Sequence, residues 1–230
     1  FSVAAFNLDL DPNGFDEIVV GAPLSDPGGR IDAGIAWVIY GGSALSTGLS
    51  FTVDDASPPT PIVRLNRGGT GTAGDNLGFA LAAGTLAGGS DSWLAISARG
   101  ADAGSPFART DAGAIHVVRG SSLPSLGGAV DLLAASMVTL AGSDARDNLG
   151  ESIAGCDVDG SGDDDLIAGA MFGDGPGNVG INRGEAVVLL GENLESGYFS
   201  GTIEAQSADM IVHGATDGDD LGFRVTCGTL

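Results

Sequence analysis

The sequence predicts an all-β chain assembled from repeated four-stranded units, and three observations predict it. A tetrapeptide landmark recurs at a fixed step: Asp75-Asn76-Leu77-Gly78, Asp147-Asn148-Leu149-Gly150 and Asp219-Asp220-Leu221-Gly222 follow one another at 72 residues. Each interval holds four short apolar stretches of strand length, separated by Gly, Asp, Ser and Pro. Glycine contributes 40 of 230 residues, about twice its usual share, and no window keeps a helical period for about three turns.

The elements run in the same order in every unit. The first strand follows the landmark and is expected at about 1–8, 79–86 and 151–157. Phe1-Ser2-Val3-Ala4-Ala5 fills the same slot as Phe79-Ala80-Leu81-Ala82-Ala83. The second strand falls in 18–23, 94–98 and 166–171. The third lies between bracketing glycines at 34–41, 113–120 and 184–191, and the fourth falls in 61–65, 136–140 and 209–213. Four strands per repeat is the pattern of a propeller blade. One such sheet cannot cover both of its faces, so neighbours must stack. That explains why the apolar runs are nearly continuous rather than alternating. The predicted organisation is an incomplete β-propeller: blades at 1–74, 75–146 and 147–218, with the start of a next blade at 219–230. A sandwich or solenoid accounts less well for four landmarks repeating in order. The chain opens and stops at nearly equivalent points of the repeat. Its outermost blade faces are therefore expected to pack against further blades of the same chain or neighbouring subunits.

Between first and second strands lie two acidic loops. One is Asp9-Leu10-Asp11-Pro12-Asn13-Gly14-Phe15-Asp16-Glu17, and the other is Asp157-Val158-Asp159-Gly160-Ser161-Gly162-Asp163-Asp164-Asp165. Both read D-x-D-x-[N/S]-G-x-x-[D/E]. Oxygen side chains at positions 1, 3 and 5 of a tight loop converge on one point, and glycine at 6 permits the reversal. A carbonyl at 7 and a carboxylate at 9 complete an oxygen shell suited to Ca²⁺. The expected ligands are Asp9, Asp11, Asn13, the Phe15 carbonyl and Glu17 for one ion. Asp157, Asp159, Ser161, the Asp163 carbonyl and Asp165 are expected to hold a second. Asp-Gly clusters also make ordinary hairpin turns, but that reading leaves the density of like charge at two equivalent places unexplained. The second unit has one carboxylate, Asp91, in the corresponding segment 84–92 and is expected to hold no metal. Gly228-Thr229-Leu230 matches Gly84-Thr85-Leu86, so the fourth start is likewise expected to lack a site.

These residues resemble the FG-GAP repeat, the blade unit of the integrin α-subunit β-propeller. Gly21-Ala22-Pro23 carries the GAP element as written, Gly169-Ala170-Met171 is a variant, and Ser97-Ala98-Arg99 is degenerate. The resemblance covers essentially the whole chain. It implies a propeller fold, Ca²⁺ at the acidic loops, and an extracellular or cell-surface protein that binds a protein or glycan ligand, adheres or assembles. Such propellers are also found as accessory or substrate-binding parts of secreted hydrolases, and a purely structural subunit is a third reading. A partner would dock on the loops of variable length at 24–33, 42–60, 99–112, 121–135, 172–183 and 192–208.

Charge and composition exclude much else. Nine basic residues, all arginine, stand against 30 acids, a formal net charge of −21. No basic surface exists to replace phosphate counterions, so nucleic acid and anionic membranes are excluded as partners. Without lysine there is no P-loop and no Schiff-base chemistry. No apolar run reaches the roughly 20 residues of a membrane span. Two G-x-G-x-x-G strings, at 69–74 and 175–180, open no helix and carry no dinucleotide reading. His116 and His213 are expected to be structural, no nucleophile elbow is present, and no enzyme activity is expected. Cys156 and Cys227 sit one place out of register in successive first strands and are expected to be separate buried thiols.

Overall fold

The computed structural model describes residues 2–10, 14–42, 45, 62–69, 71–86, 88–103, 109–123 and 128–228. The first interval forms β1 (Ser2–Phe6), β2 (Glu17–Ala22), β3 (Ile35–Ile39) and β4 (Ile62–Asn66). The second forms β5 (Leu77–Leu86), β6 (Asp91–Ala98), β7 (Ala114–Arg119), β8 (Gly128–Asp131) and β9 (Val138–Ala141). The third forms β10 (Ser152–Cys156), β11 (Asp165–Ala170), β12 (Glu185–Leu189), β13 (Gly201–Glu204) and β14 (Met210–His213). The fold is all-β in character: the two α-helices among the described residues, Leu132–Ala135 and Gly191–Glu195, have four and five residues.

Three sheets result, none of them closed. Each contains an antiparallel meander, in the orders β1-β2-β3-β4, β5-β6-β7-β9 and β10-β11-β12-β14. The expected first strands at 1–8, 79–86 and 151–157 are met by β1, β5 and β10. A fifth strand in two sheets is absent from the sequence reading. β8 leaves the second unit to pair in parallel with β4, and β13 leaves the third to pair in parallel with β9. Each is short, with glycine first and an acid last, and lies in a stretch that reads as loop.

Stacking explains the apolar runs. One core cluster joins Val19, Val38, Val63 and Leu65 of the first sheet to Leu94, Ile96 and Val118 of the second. Another joins Trp93, Ala95, Ile115, Val117 and Leu140 of the second to Ile153, Leu166, Val187 and Leu189 of the third. Alternate residues of β6 enter opposite clusters, so seven of its eight positions are buried. Trp93 is fully buried, and its Nε1 donates to the Asp164 carbonyl at 3.0 Å. Its ring lies so close to β10 that a Cβ at Gly155 would come within 2.7 Å of it.

The repeated landmark is where each unit meets the chain that follows it. Gly34, Gly113 and Gly184, each ahead of a third strand, bridge in parallel to Leu77, Leu149 and Leu221. Gly34 has φ +76°, and a Cβ there would lie 2.3 Å from the Leu77 nitrogen. Asn76, Asn148 and Asp220 have φ of 54°, 53° and 50°, a conformation that Asn and Asp adopt more readily than most side chains. The landmark thus recurs because the same close backbone approach is made at each joint.

One expectation is corrected. Cys156 and Cys227 are not separate buried thiols but a disulfide with Cα atoms 6.0 Å apart, and both residues are partly exposed. The chain after the third landmark returns along β10: Ser152 Oγ donates to the Gly222 carbonyl at 3.2 Å and accepts from the Val225 amide at 2.9 Å. That return closes a distance which register along successive strands does not reveal. Residues 223–228 lie there without forming a strand.

Candidate metal centre

Both acidic loops join a first strand to a second, so the hairpin geometry of β1-β2 and β10-β11 presents them at equivalent places. The third-unit loop is described throughout. Carboxylate oxygens of Asp157, Asp159 and Asp165 all lie within 4.8 Å of one another. Asp157 and Asp159 are exposed, and Asp165 is fully buried at the start of β11. The loop's own amides hold the exposed acids in place. Gly160 and Ser161 donate to Asp157 Oδ1 at 2.7 and 3.1 Å, and Gly162 donates to Oδ2 at 2.9 Å. Ser161 also donates to Asp159 Oδ1 at 2.9 Å. Its hydroxyl lies 3.5 Å from the Asp163 carbonyl, which places those two expected ligands side by side.

Asp165 accepts from Val158 at 2.7 Å and from Gly191 at 2.7 Å, one bond to each oxygen. Burial pushes its carboxyl above the ordinary aspartate range, those two bonds oppose the rise, and the charges of Asp159 and Asp157 add to it. Asp159 is held below the ordinary range, chiefly by the Ser161 backbone N–H. The donors are all hard oxygens: three carboxylates, a hydroxyl and a carbonyl. A carboxylate oxygen has two lone pairs, so Asp157 Oδ2 and the two Asp165 oxygens, each accepting from one amide, are left able to face a cation. The donor set fits Ca²⁺, which takes six to eight oxygens, better than a metal that favours nitrogen or sulfur.

In the first-unit loop, Asp11 and Asn13 lie outside the described residues. Of the other expected ligands, Phe15 is exposed and Glu17 is buried at the start of β2. Glu17 occupies the place of Asp165. Its Oε2 accepts from Leu8 at 2.6 Å and Asp9 at 3.3 Å, and its Oε1 accepts from Gly41 at 3.3 Å. Gly41 and Gly191 both follow a third strand, so the closing acid is anchored to the same neighbour in both loops. Burial raises the Glu17 pKa most, and the charge of Asp9 raises it further.

Two roles are absent from the sequence reading. Asp163 and Asp164 also bind the loop to the second sheet. Asp163 Oδ1 accepts from Gly88 at 2.9 Å, and Asp164 Oδ2 accepts from the Thr85 amide at 2.7 Å and its hydroxyl at 2.8 Å. No local motif marks these bonds, because their partners are more than seventy residues away. In the second unit, Asp91 is ion-paired to Arg119 at 2.8 Å rather than gathered with other acids.

A cleft of about 640 Å³ opens elsewhere, lined by Arg109, Asp144, Glu185, Gln206 and His213 among others. His213 Nδ1 lies 3.2 Å from Glu185 Oε1. His116 is fully buried beside Thr139, with its pKa lowered to about 3 by burial and the Arg67 charge. No helix among the described residues is long and apolar enough to cross a membrane. Comparison with protein-family models and with curated proteins returned no match.

Proposed function

We propose that this chain is a calcium-stabilised β-propeller module of the FG-GAP type, acting outside the cell in ligand binding, adhesion or surface assembly. The observation that carries the reading is the convergence of Asp157, Asp159 and Asp165 on a point within 4.8 Å in a loop whose amides pre-orient two of them. Asp157, Asp159, Ser161, Asp163 and Asp165 would hold one ion, and Asp9, Asp11, Asn13, Phe15 and Glu17 a second. The metal's role is electrostatic: it offsets repulsion among gathered carboxylates and ties the ends of β10 and β11 together. Because Asp163 and Asp164 bind the second sheet, ordering this loop also strengthens the joint between sheets.

The disulfide supports an extracellular setting, since such bonds persist in oxidising compartments. Stacked four-stranded meanders support the blade reading. Thermal melting in Ca²⁺, in chelator and in salt of matched ionic strength tests the proposal. The expected result is a melting temperature that falls with chelator and responds far less to salt. Coincident curves would reduce the loops to ordinary turns.

A further inference from the structure

Cys156 and Cys227 are the only cysteines of the chain, and their bond is made beside the third-unit acidic loop. Cys156 ends β10, and the residue after it is Asp157, the first carboxylate of the centre. Across the hairpin Cys156 pairs with Asp165, the buried closing carboxylate. One half-cystine is thus peptide-linked to one gathered carboxylate and in register with another, and Asp159 follows in the same loop.

The other half-cystine lies in the stretch 223–228, which runs beside β10 in the same direction. Ser152, at the start of β10, holds that stretch through the Gly222 carbonyl at 3.2 Å and the Val225 amide at 2.9 Å. The disulfide holds it at the other end of β10. Gly222 also packs on β11, where its carbonyl leaves no room for a Cβ at Gly169. The first-unit loop is built differently: the residue in register with its closing acid, Glu17, is Phe6. Both loops anchor the closing acid on backbone amides, but only the third is covalently tied to a neighbouring stretch of chain.

We propose that the disulfide is a positioning element of the third-unit metal centre: forming the bond raises the affinity of the loop for a divalent cation, and a bound cation in turn protects the bond from reduction. Three carboxylates gathered within 4.8 Å repel one another, and the loop relieves that repulsion when the end of β10 opens away from β11. Strand ends open at little cost, and the cross-link at Cys156 opposes that opening. Coupling of this kind is reciprocal and amounts to about 5–150-fold in affinity. Both cysteines are partly exposed, so a small dithiol can reach the bond. Its thiolate attacks one sulfur to give a mixed disulfide, and its second thiolate then displaces the remaining cysteine. The chain gains two electrons and two protons, and the reductant leaves as a cyclic disulfide. Because the bond is made by oxidation, the third-unit site reaches full affinity only in a chain that has met an oxidising compartment. The first-unit site carries no such requirement.

The inference rests on the calcium reading of the loops, and the experiment separates the two. Chelator-stripped chain is titrated calorimetrically with Ca²⁺ in three forms: oxidised, reduced with dithiothreitol, and as the double variant Cys156→Ser, Cys227→Ser. Two ions are expected in the oxidised chain. In the other two forms the first-unit ion should keep its affinity while the third-unit ion weakens about 5–150-fold. Asp159→Asn, a change at an exposed position, removes the third-unit ion alone and so identifies it. The reverse arm needs no cysteine variant. Wild-type chain is equilibrated with mixtures of reduced and oxidised dithiothreitol, and its thiols are counted by alkylation and mass spectrometry. Saturating Ca²⁺ should raise the reductant ratio at half-reduction by the same factor, and Asp159→Asn should abolish that rise while its first-unit ion stays bound. Equal affinities in oxidised and reduced chains, or a midpoint indifferent to Ca²⁺, would overturn the coupling. Protection that persists in Asp159→Asn would overturn it too, since it would then come from stabilisation of the whole fold. An oxidised chain that binds no Ca²⁺ would overturn the calcium reading and this inference with it.

Discussion

Asp147, the acid of the second landmark, is 4% exposed and accepts from the Asp144 amide at 3.1 Å. Burial, together with the charges of Asp144, Glu185 and Asp174, pushes its pKa up to about 7. The folded state therefore holds this proton more tightly than the unfolded chain. Above about pH 7 both states are ionised and the buried charge is a net cost to folding. As pH falls through that value toward the ordinary aspartate range, the folded state protonates first and stability rises. Denaturant melts across this window should show that rise, and Asp147→Asn should flatten it. An unchanged slope in the variant would mean that other groups set the pH dependence. The disulfide makes a second residue-level test. It spans 71 residues, so replacing both Cys156 and Cys227 by Ser should cost about 2–5 kcal/mol. Equilibrium unfolding of the oxidised wild type against the double variant measures it.

At the scale of the elements, Trp93 is a fully buried side chain in the core shared by the second and third sheets. Trp93→Ala removes a fully buried indole and orphans the Asp164 carbonyl, so a loss of about 3–5 kcal/mol is expected. A loss under about 0.5 kcal/mol, the range of ordinary surface changes, would show that the cores do not join the sheets. Gly34→Ala should also destabilise, because the left-handed backbone alone costs about 1–2 kcal/mol with a Cβ and the Leu77 backbone blocks the space. The meanders were legible because each apolar run lies between turn residues and recurs at one interval. The acidic loop was legible because Asp157, Asp159 and Asp165 are close in sequence, so local geometry brings them together. β8 and β13 were not legible: four residues that pair with a different unit have no periodicity of their own. The Cys156–Cys227 bond escaped for the same reason, since it depends on the path taken after Gly222. The bonds from Asp163 and Asp164 to the second sheet follow from stacking, which no nine-residue motif encodes.

Over the whole molecule, the stacked sheets carry loops that a cation would hold closed. An ion that binds only the folded state raises unfolding free energy by about 2.7 kcal/mol at a hundredfold excess over Kd. Every acidic loop that takes an ion adds such a contribution. The fully described loop includes Asp165, whose charge is disfavoured by burial, and the first includes Glu17, disfavoured in the same way. Isothermal titration of chelator-stripped chain with Ca²⁺ tests this most directly, with wild type beside the double variant Asp157→Ala, Asp165→Ala. The expected result is two ions bound by wild type and one by the variant. No binding heat, or the same stoichiometry in both proteins, would contradict the claim that these loops are calcium sites.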